Sequence, residues 1–360
     1  MESLTQVGVI GSGYWGPNLI RNFVEMPGCN LRAIADLSVA RLDAMKSRYP
    51  HVKTTTDYRR LFDLDLDAVV ICTPPHTHHQ IAKDCLEQGL HVLIEKPMTT
   101  NSADARDLID VAARAGRVLM VGHTFVYNSA VRALRRMMAE GSLGTIHYID
   151  AVRVGLGLYH PTVNVVWDLA PHDVSILVYL LGATPVQVSA TAAACVHSSV
   201  EDVAYLTLTF PGGILTHVRV SWLDPSKTRR ITVVGSEKMV TYDDVETNEK
   251  IKIYDKGVEA LQPSNSFGEF QFNYRYGDIV APFIEFHEPL RVEAEHFIEC
   301  VRTGASPITD GQAGLQVVSI IESLQSSLRA GGRSVAIDES LDGLLDGALG
   351  AHDLKGSLLS

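Results

Sequence analysis

The sequence contains few cysteines and none of the spacings by which cysteines bind zinc or build a disulfide framework. Five cysteines are scattered over 360 residues, an odd number without a C-x-x-C pair. Zinc clusters and small disulfide-rich domains use dense, regularly spaced cysteines. The sequence therefore argues against both classes, and we expect most of these cysteines to pack as small core residues.

A run of lysine and arginine and a long apolar segment are also missing. The net charge of −11 makes binding to nucleic acid or to an anionic membrane unfavourable. The apolar run from Val174 to Ala183 is too short to span a bilayer. The first four residues lack the basic region of a signal peptide. We therefore expect a cytoplasmic protein that binds neither nucleic acid nor membrane.

Length and composition predict two globular domains. The chain is about twice the usual domain size, with 46% hydrophobic and 20% charged residues. Up to residue 121, short apolar strands alternate with amphipathic helices, which is typical of a parallel sheet covered on both faces. The sequence therefore predicts a first domain over residues 1–122. Its expected strands are Val7–Ile10, Leu31–Ala35, Ala68–Cys72, His91–Ile94 and Val118–Val121.

The second half is rich in β-structure. Alternating segments such as Thr207–Phe210 predict an antiparallel sheet with two different faces. One helix, Pro171–Leu181, interrupts the strands, and Lys256–Pro289 has the composition of a long loop. We expect this second domain over residues 123–340, followed by a tail over 341–360.

A glycine-rich segment directly follows the first strand and opens a helix, which is the context of a dinucleotide-binding turn. Gly11 permits the tight turn, Gly13 lets the backbone approach a pyrophosphate, and Gly16 allows the helix to pack close to the strand. Tyr14 and Trp15 lie between these glycines, where we expect contact with the cofactor or packing around it. The pattern predicts that a dinucleotide binds at this helix N-terminus.

An acidic residue ends the second strand. Asp36 is placed to accept hydrogen bonds from the ribose hydroxyls of NAD and to repel a 2′-phosphate. Leu37 and Ser38 follow it, and Arg41 is the nearest cation that could hold such a phosphate. The sequence therefore predicts NAD as the cofactor.

A lysine stands just beyond another strand, at the sheet edge where ligands bind in parallel α/β folds. Lys96 follows Glu95 and precedes Pro97, which directs it away from helical geometry. By itself, a lysine in this place is more often a solvated surface cation. His76, His78 and His79 lie close together earlier in the chain, but neither a cysteine nor a carboxylate completes a metal site there. We therefore expect no bound metal.

Several motifs recur together in one order and carry a resemblance. They are Gly11–Gly16, Thr73-Pro74-Pro75 with His78, Glu95-Lys96-Pro97, Asp168-x-x-x-His172, and Pro289-Leu290 with Glu293 and His296-Phe297. Over residues 5–337 the sequence resembles the glucose–fructose oxidoreductase, inositol dehydrogenase and rhizopine-catabolism (Gfo/Idh/MocA) family. The resemblance implies a Rossmann domain, an α+β domain with a large open, mostly antiparallel sheet, and NAD(P)-dependent chemistry on sugars or cyclitols.

The resemblance also implies roles for single residues. Lys96 corresponds to the catalytic lysine of the family, and Glu95 to a residue that contacts the cofactor. The segment from Thr73 and Pro74 to His78 is implied to line the nicotinamide side. Tyr127 and Asn128 are implied to lie near the substrate, and the region of Trp167–Asp173 is most similar to the UDP-N-acetylglucosamine 3-dehydrogenase-type branch.

Oxidation of a secondary alcohol requires a group that accepts the hydroxyl proton. His172 has a side chain that titrates near neutral pH, and Lys96 is an alternative acceptor if burial favours its neutral amine. Asp168 lies four residues before His172, so the two share one face of a helix. Asp168 is equally suited to be the N-cap of that helix, and the alternative for His172 is a core histidine. The sequence leaves these alternatives open.

The expected substrate is a ring secondary alcohol, at a carbon such as C3 of a nucleotide-activated sugar. The segment Lys256–Pro289 offers aromatic side chains for stacking and Arg275 as a cation for a diphosphate, although self-packing or an oligomer contact would also account for it. A cyclitol or free-sugar dehydrogenase is the alternative, and a non-catalytic NAD-binding scaffold is the second alternative. The aromatic residues concerned are Phe267, Phe270, Phe272, Tyr274 and Tyr276.

A sheet with few helices to cover it predicts self-association. We expect a homodimer or homotetramer that buries the open face of the C-terminal sheet. The segments that could form this face carry Val203, Leu206, Leu208, Val218 and Val220.

Overall fold

The structure, a computed structural model, describes residues 4–157, 159, 163–260 and 272–337. The described residues form two compact units. The first unit contains residues 4–127 and His287–Ser319. The second contains the described residues of Asn128–Phe286 together with residues 320–337. The tail predicted over residues 341–360 lies outside the described part of the chain.

A six-stranded parallel sheet forms the centre of the first unit, as the alternation of strands and helices predicts. The strand order β3-β2-β1-β4-β5-β6 reverses direction between β1 and β4, which is the switch point at which doubly wound sheets bind ligands. The strands are β1 (Thr5–Ile10), β2 (Cys29–Ala35), β3 (Lys53–Thr55), β4 (Ala68–Ile71), β5 (His91–Glu95) and β6 (Leu119–Gly122).

Helices connect these strands, and their ends follow local sequence signals. Pro17 lies in the first turn of the first helix, and Asn101 caps the fourth by accepting a hydrogen bond from the Asp104 amide. Gly116 ends that fourth helix in the left-handed conformation. The connecting helices are α1 (Gly16–Glu25), α2 (Val39–Arg48), α3 (His78–Glu87) and α4 (Ser102–Ala115).

The two units divide the chain differently from the predicted domains. The first unit continues to residue 127 instead of 122, and it also contains the helix α7 (Pro289–Thr303), which was expected in the second domain. Phe297 of α7 packs edge-on against Phe23 of α1, with ring centroids 6.5 Å apart. Such a buried aromatic pair contributes strongly to packing. Because its two residues lie far apart in the sequence, local sequence patterns do not predict the contact.

A nine-stranded, mostly antiparallel sheet dominates the second unit, which confirms the predicted fold class. The order is β14-β13-β12-β11-β7-β10-β9-β8-β15, and the β7–β10 pair is parallel. The strands are β7 (Ile146–Leu156), β8 (Gln187–Ala193), β9 (Val203–Thr209), β10 (Leu215–Ser221), β11 (Leu223–Gly235), β12 (Met239–Asp243), β13 (Ile251–Ala260), β14 (Phe272–Val280) and β15 (Val335–Ala336).

Two helices, α5 (Ser129–Ala139) and α6 (Val165–Leu181), belong to the second unit, and α8 (Gly311–Arg329) contributes residues to both units. Helix α6 packs on β7, β9 and β10. Five residues were named on the segments that could form the open face, and four of them are fully buried. The fifth, Val203, is half-buried and points to the sheet face opposite to that of Leu206 and Leu208. The buried four are Leu206, Leu208, Val218 and Val220.

The predicted long loop over Lys256–Pro289 is wrong for part of its length. β13 extends to Ala260 and pairs with β14, so residues on both sides of the undescribed 261–271 are strands. Glycines and prolines in this region suggested a loop, but the aromatic and β-branched residues between them fit a paired strand. Across the described ranges we find no helix both long and apolar enough to cross a membrane.

Candidate functional site

The glycine-rich turn after β1 has the backbone geometry that a dinucleotide site needs. Gly11 has φ 100°, and a Cβ there would lie 2.6 Å from the Cys72 carbonyl oxygen. A Cβ at Gly16 would collide with the Gly11 carbonyl oxygen. Side chains are therefore excluded at both positions, and the turn leads directly into the N-terminus of α1, where a pyrophosphate is stabilised. These residues fit NAD as the sequence predicts.

Asp36 at the end of β2 is tied to that turn. Its Oδ2 accepts hydrogen bonds from the Ser12 amide at 2.7 Å and the Ser12 hydroxyl at 2.9 Å, and its Oδ1 accepts from the Ser38 amide at 2.8 Å. Burial acts to raise the pKa of Asp36, but these hydrogen bonds and the charge of Arg41 outweigh it and lower the pKa. Arg41 lies 3.7 Å from Asp36 and next to Gly13. The turn therefore presents an ionised carboxylate beside one exposed cation.

Tyr14 and Trp15 of the turn are exposed aromatic side chains, at 87% and 40% of their surface. The Trp15 side chain also acts to lower the pKa of Glu95, so the turn after β1 influences the end of β5. Both positions suit contact with a planar ligand, as the sequence predicts for cofactor-binding residues.

The segment after β4 is held in place by a buried histidine. The ring nitrogens of His78 lie 2.8 Å from the Thr73 carbonyl oxygen and 3.0 Å from the Pro97 carbonyl oxygen. Burial lowers the pKa of His78, although these carbonyls act to raise it. His78 thus links the backbone at Thr73, which precedes Pro74, to the backbone after Lys96. Its side chain is fully buried, so its own contribution is to position these two segments.

Glu95 and Lys96 lie at the carboxyl end of β5. The Glu95 Oε2 accepts a hydrogen bond from the Lys96 amide at 3.2 Å, and the Glu95 carboxylate lies against Gly122 at the end of β6. Burial raises the pKa of Glu95 to about 7, although the Lys96 charge, the Lys96 amide and the Trp15 side chain act to lower it. A cation and a carboxyl that titrates near neutral pH therefore share the sheet edge where ligands bind.

Two further titratable residues of the first unit belong to this cluster and were missed as site residues in the sequence. His123 directly follows β6, and Glu293 lies on α7, where its Oε2 accepts a hydrogen bond from the Thr124 hydroxyl at 2.9 Å. Both side chains are almost completely buried. A signal existed for His123, because it follows a predicted strand at the same edge as Lys96. Glu293 belongs to the closing motif of the resemblance, but nothing in its local sequence predicts its burial, which depends on the return of α7.

Tyr127 and Asn128 both have structural partners. The Tyr127 hydroxyl lies 3.0 Å from the Thr309 hydroxyl, and the ring is fully buried in the first unit. Asn128 caps α5 in the second unit, with its Oδ1 accepting from the Ala130 amide at 2.9 Å. These contacts give both side chains a structural role, and their position near the substrate stays a prediction.

Asp168 and His172 lie on α6, and the helix begins earlier than predicted. Asn164 is the N-cap and accepts a hydrogen bond from the Trp167 amide, so the interpretation of Asp168 as the cap is wrong. Pro171, which was expected to open the helix, lies inside it. Asp168 instead accepts a hydrogen bond from the Trp222 indole at 3.0 Å. One face of α6 therefore carries both Asp168 and His172.

Arg275 lies on β14 and is engaged within the second unit. Its guanidinium pairs with Asp255 and donates to the Glu237 carbonyl oxygen. Tyr274 and Tyr276 are exposed, Phe272 belongs to the strand, and Phe267 and Phe270 lie outside the described residues. Because the charge of Arg275 already has a carboxylate partner, its use as a phosphate clamp would require that pair to open.

Family profiles match both halves of the chain. The profile described as "Oxidoreductase family, NAD-binding Rossmann fold" matches residues 5–123, and the profile described as "GFO/IDH/MocA C-terminal domain" matches residues 131–241. The chain belongs to the Gfo/Idh/MocA family. The resemblance to this family that the sequence motifs carry is thereby confirmed. This Gfo/Idh/MocA protein is an NAD-binding oxidoreductase, with residues 5–123 as its NAD-binding Rossmann domain.

Characterised relatives of this Gfo/Idh/MocA chain act on different substrates. A UDP-N-acetylglucosamine 3-dehydrogenase from Acidithiobacillus ferrooxidans is 27% identical over 71% of this chain and 76% of its own. A myo-inositol 2-dehydrogenase from Thermotoga maritima is 25% identical over 93% of this chain and 99% of its own. The crystal structure of GenD2 from gentamicin A biosynthesis, in complex with NAD, has a TM-score of 0.79 at 23% identity and covers 94% of this chain and 97% of that one. This last likeness shows the shared fold.

The described residues contain no candidate metal site. Among them there is no group of three or more histidine, cysteine, aspartate or glutamate side chains that could hold an ion. Of the neighbouring histidines, His79 lies 2.7 Å from the Asp107 carboxylate, which also pairs with Lys83.

Proposed function

We propose that this protein transfers a hydride between NAD and a secondary alcohol or ketone carbon in the ring of a sugar or cyclitol. The observation that carries the proposal is the position of Lys96. It lies directly after β5, at the carboxyl edge of the same parallel sheet as the glycine-rich turn that fits a dinucleotide, and beside the Glu95 carboxyl. A cation at this edge is suited to stabilise an oxygen that gains negative charge as hydride leaves the neighbouring carbon.

The chemistry needs an acceptor for two electrons and an acceptor for one proton. NAD, when bound, supplies the acceptor of the hydride. Lys96 holds the alcohol oxygen and stabilises its developing charge, and its own charge acts to lower the pKa of the neighbouring Glu95. We assign the hydroxyl proton to His172, since an imidazole accepts protons near neutral pH. Asp168, on the same face of α6, favours the charged imidazolium after proton transfer.

Asp36 supports a preference for NAD over NADP. Its carboxylate is ionised and fixed by Ser12 and Ser38 at the strand end where the adenosine ribose binds in Rossmann domains. A 2′-phosphate placed there would meet a negative charge. Arg41 is the residue that could offset this repulsion, because its guanidinium lies next to both Asp36 and Gly13.

A nucleotide-activated sugar oxidised at a ring carbon such as C3 is the first substrate to test. Its support is the similarity to the UDP-N-acetylglucosamine 3-dehydrogenase and the exposed Tyr274 and Tyr276 on β14. A free cyclitol or sugar is the second candidate. It is favoured by the ion pair of Arg275 with Asp255, which occupies the cation expected to bind a diphosphate, and by the similarity to the myo-inositol 2-dehydrogenase.

A panel of substrates with NAD tests both candidates. We would record nicotinamide absorbance with UDP-sugars, dTDP-sugars, myo-inositol and free hexoses, using the Lys96→Met variant as the blank. Turnover of UDP-sugars that falls in an Arg275→Ala variant would support the nucleotide sugar. Turnover of free polyols alone, unchanged in that variant, would support the second candidate. An absence of turnover with every compound would contradict the proposed reaction.

A further inference from the structure

His123 is a buried histidine at the ligand edge of the first sheet. It follows the last residue of β6, and β6 pairs with β5 so that Gly122 lies opposite Glu95. Lys96 and His123 are therefore the first residues beyond two adjacent, paired strand ends. The imidazole is only 2% exposed. Its location is the carboxyl edge of a parallel sheet, where ligands of this fold class bind.

Neither ring nitrogen of His123 has a hydrogen-bond partner among the residues that the structure describes. A neutral imidazole carries one donor and one acceptor, and burying either one without a partner is unfavourable. Most buried polar groups in proteins are paired, so an exception calls for a specific explanation. His78 shows the ordinary case in this chain, because both of its nitrogens face backbone carbonyl oxygens.

The surroundings of His123 keep it neutral. Burial and the positive charge of Lys96 lower the pKa of His123 to about 3. The neighbouring titratable groups of the cluster are Glu95 on β5 and Glu293 on α7, and the Glu293 carboxyl is bound by Thr124, the next residue after His123. At neutral pH the imidazole is thus a hydrogen-bonding group with one donor and one acceptor, and it is unsuited to carry a proton in the reaction.

We propose that His123 is a ligand-contacting residue whose unpaired ring nitrogens are reserved for hydrogen bonds with a bound ligand. Two sources share this chemistry, namely the carboxamide of the nicotinamide and a ring hydroxyl of the substrate. Because Nδ1 and Nε2 of an imidazole point in widely different directions, binding of either one pairs one of the two buried nitrogens. The free protein is then less stable than a chain with an apolar side chain at this position, and the stability is recovered when the ligand binds.

The test compares two histidine-to-leucine variants of the full chain. In the ligand-free state, His123→Leu should melt at the same temperature as the parent protein or higher, since it removes two unpaired buried nitrogens. His78→Leu, the matched control, should melt lower, because its nitrogens have carbonyl partners. Calorimetry should show about tenfold weaker NAD binding by His123→Leu if the carboxamide is the partner. If the substrate is the partner, the NAD dissociation constant stays unchanged and KM rises by about tenfold.

A His123→Asn variant, which keeps one donor and one acceptor, should recover part of the lost affinity. The proposal is overturned if His123→Leu melts well below the parent protein, which is the result for a paired core histidine. It is also overturned if neither the NAD dissociation constant nor KM changes. The possibility that the partner of His123 is the substrate rests on the proposed function. Failure of that function is recognised separately, as absence of turnover by the parent protein, and the NAD measurement then decides the role of His123.

Discussion

The indole N–H of Trp222 donates a hydrogen bond to the Asp168 carboxylate, with 3.0 Å between Nε1 and Oδ2. Trp222 is almost completely buried, and its ring lies against Tyr159 with centroids 5.2 Å apart. A side chain at Gly157 would collide with the indole, so a glycine there leaves room for it. Asp168 is therefore held in one place on the face of α6 that also carries His172.

Replacing Asp168 should affect activity more than stability. In Asp168→Asn the amide oxygen can still accept the hydrogen bond from Trp222, but the negative charge is lost. We expect turnover to fall by about tenfold or more while the melting temperature changes by less than about 2 °C. Asn164→Ala is the matched control on the same helix, because it removes the N-cap and should cost about 1 kcal/mol of stability. Steady-state kinetics and thermal unfolding check both variants. A destabilised but fully active Asp168→Asn protein would contradict the assignment.

Local sequence signals located most of the first unit but only part of α6. The glycine-rich turn, the strand ends at Asp36 and Glu95, and helix α4 all follow short-range patterns that the structure reproduces. The sequence predicts the start of α6 too late, because a proline such as Pro171 is typical of the first turn of a helix. The helix tolerates this proline in its interior, and Asn164 supplies the cap seven residues earlier.

Other features of the candidate site and of the second sheet depend on contacts between distant parts of the chain. Glu293 is buried because α7 returns to the first unit, where Thr124 binds its carboxyl. The orientation of Leu206 and Val218 depends on which sheet face α6 covers. A one-residue change in register reverses every side chain of a strand, so composition alone could not assign these residues to a face.

Lys96 should be essential for turnover and dispensable for folding. We expect Lys96→Met to reduce turnover by about a thousandfold or more, because the cation that stabilises the oxygen is lost. The NAD dissociation constant should change little. Lys83→Met is the control, since Lys83 lies on α3 and its charge pairs with Asp107 on the side of the helix packed against α4. Stopped-flow absorbance and calorimetry measure both quantities. A Lys96→Met protein with turnover within about tenfold of the parent would contradict the role in catalysis.

Asp36 and Arg41 should control the choice between NAD and NADP. The parent protein should bind NAD more tightly, because the ionised Asp36 repels a 2′-phosphate. In Asp36→Asn the hydrogen bond from Ser12 can persist while the charge is lost, so the preference should shrink by about tenfold. Adding Arg41→Ala to that variant should weaken NADP binding again. Calorimetric titration with both cofactors measures these ratios, and tighter binding of NADP by the parent protein would overturn the assignment.

Glu293 should make the stability depend on pH. Burial and the Glu95 charge raise the pKa of Glu293 well above its ordinary value of 4.5, although the Thr124 hydroxyl acts to lower it. The folded protein then holds this proton to higher pH than the unfolded chain does. The contribution to stability is complete below pH 4.5 and is lost as the pH rises toward the folded pKa.

The variant Glu293→Gln has no proton to lose at this position. Its stability should equal that of the parent protein near pH 4 and exceed it at pH 8 by at least about 1.4 kcal/mol, the equivalent of one pKa unit. Glu299→Gln, at an exposed position on the same helix, should show no such divergence. Urea unfolding at several pH values gives the comparison. A Glu293→Gln protein that is less stable than the parent at pH 8 would show that the ionised carboxylate is needed there.

An apolar row crosses the face of the second sheet opposite α6. Direct cross-strand partners point to the same face, and the register aligns one such residue on each of six neighbouring strands. Several of them are about half exposed, including Tyr148 at 48% and Leu215 at 49%. The row consists of Leu215, Tyr148, Val234, Met239, Tyr254 and Ile279.

This row lies on the sheet face opposite to the four buried residues Leu206, Leu208, Val218 and Val220, and we propose that it mediates a homodimer or homotetramer. An exposed apolar strip of this length is unfavourable in water, and a self-complementary contact with a second copy would bury it. Leu215→Glu places a charge in the row and should shift the protein toward monomer. Val196→Glu, at an exposed apolar residue in the loop between β8 and β9, should leave the assembly unchanged. Light scattering and sedimentation at micromolar concentration measure the mass of each variant. A monomeric parent protein, or a Leu215→Glu variant that keeps its oligomeric mass, would exclude this surface as the interface.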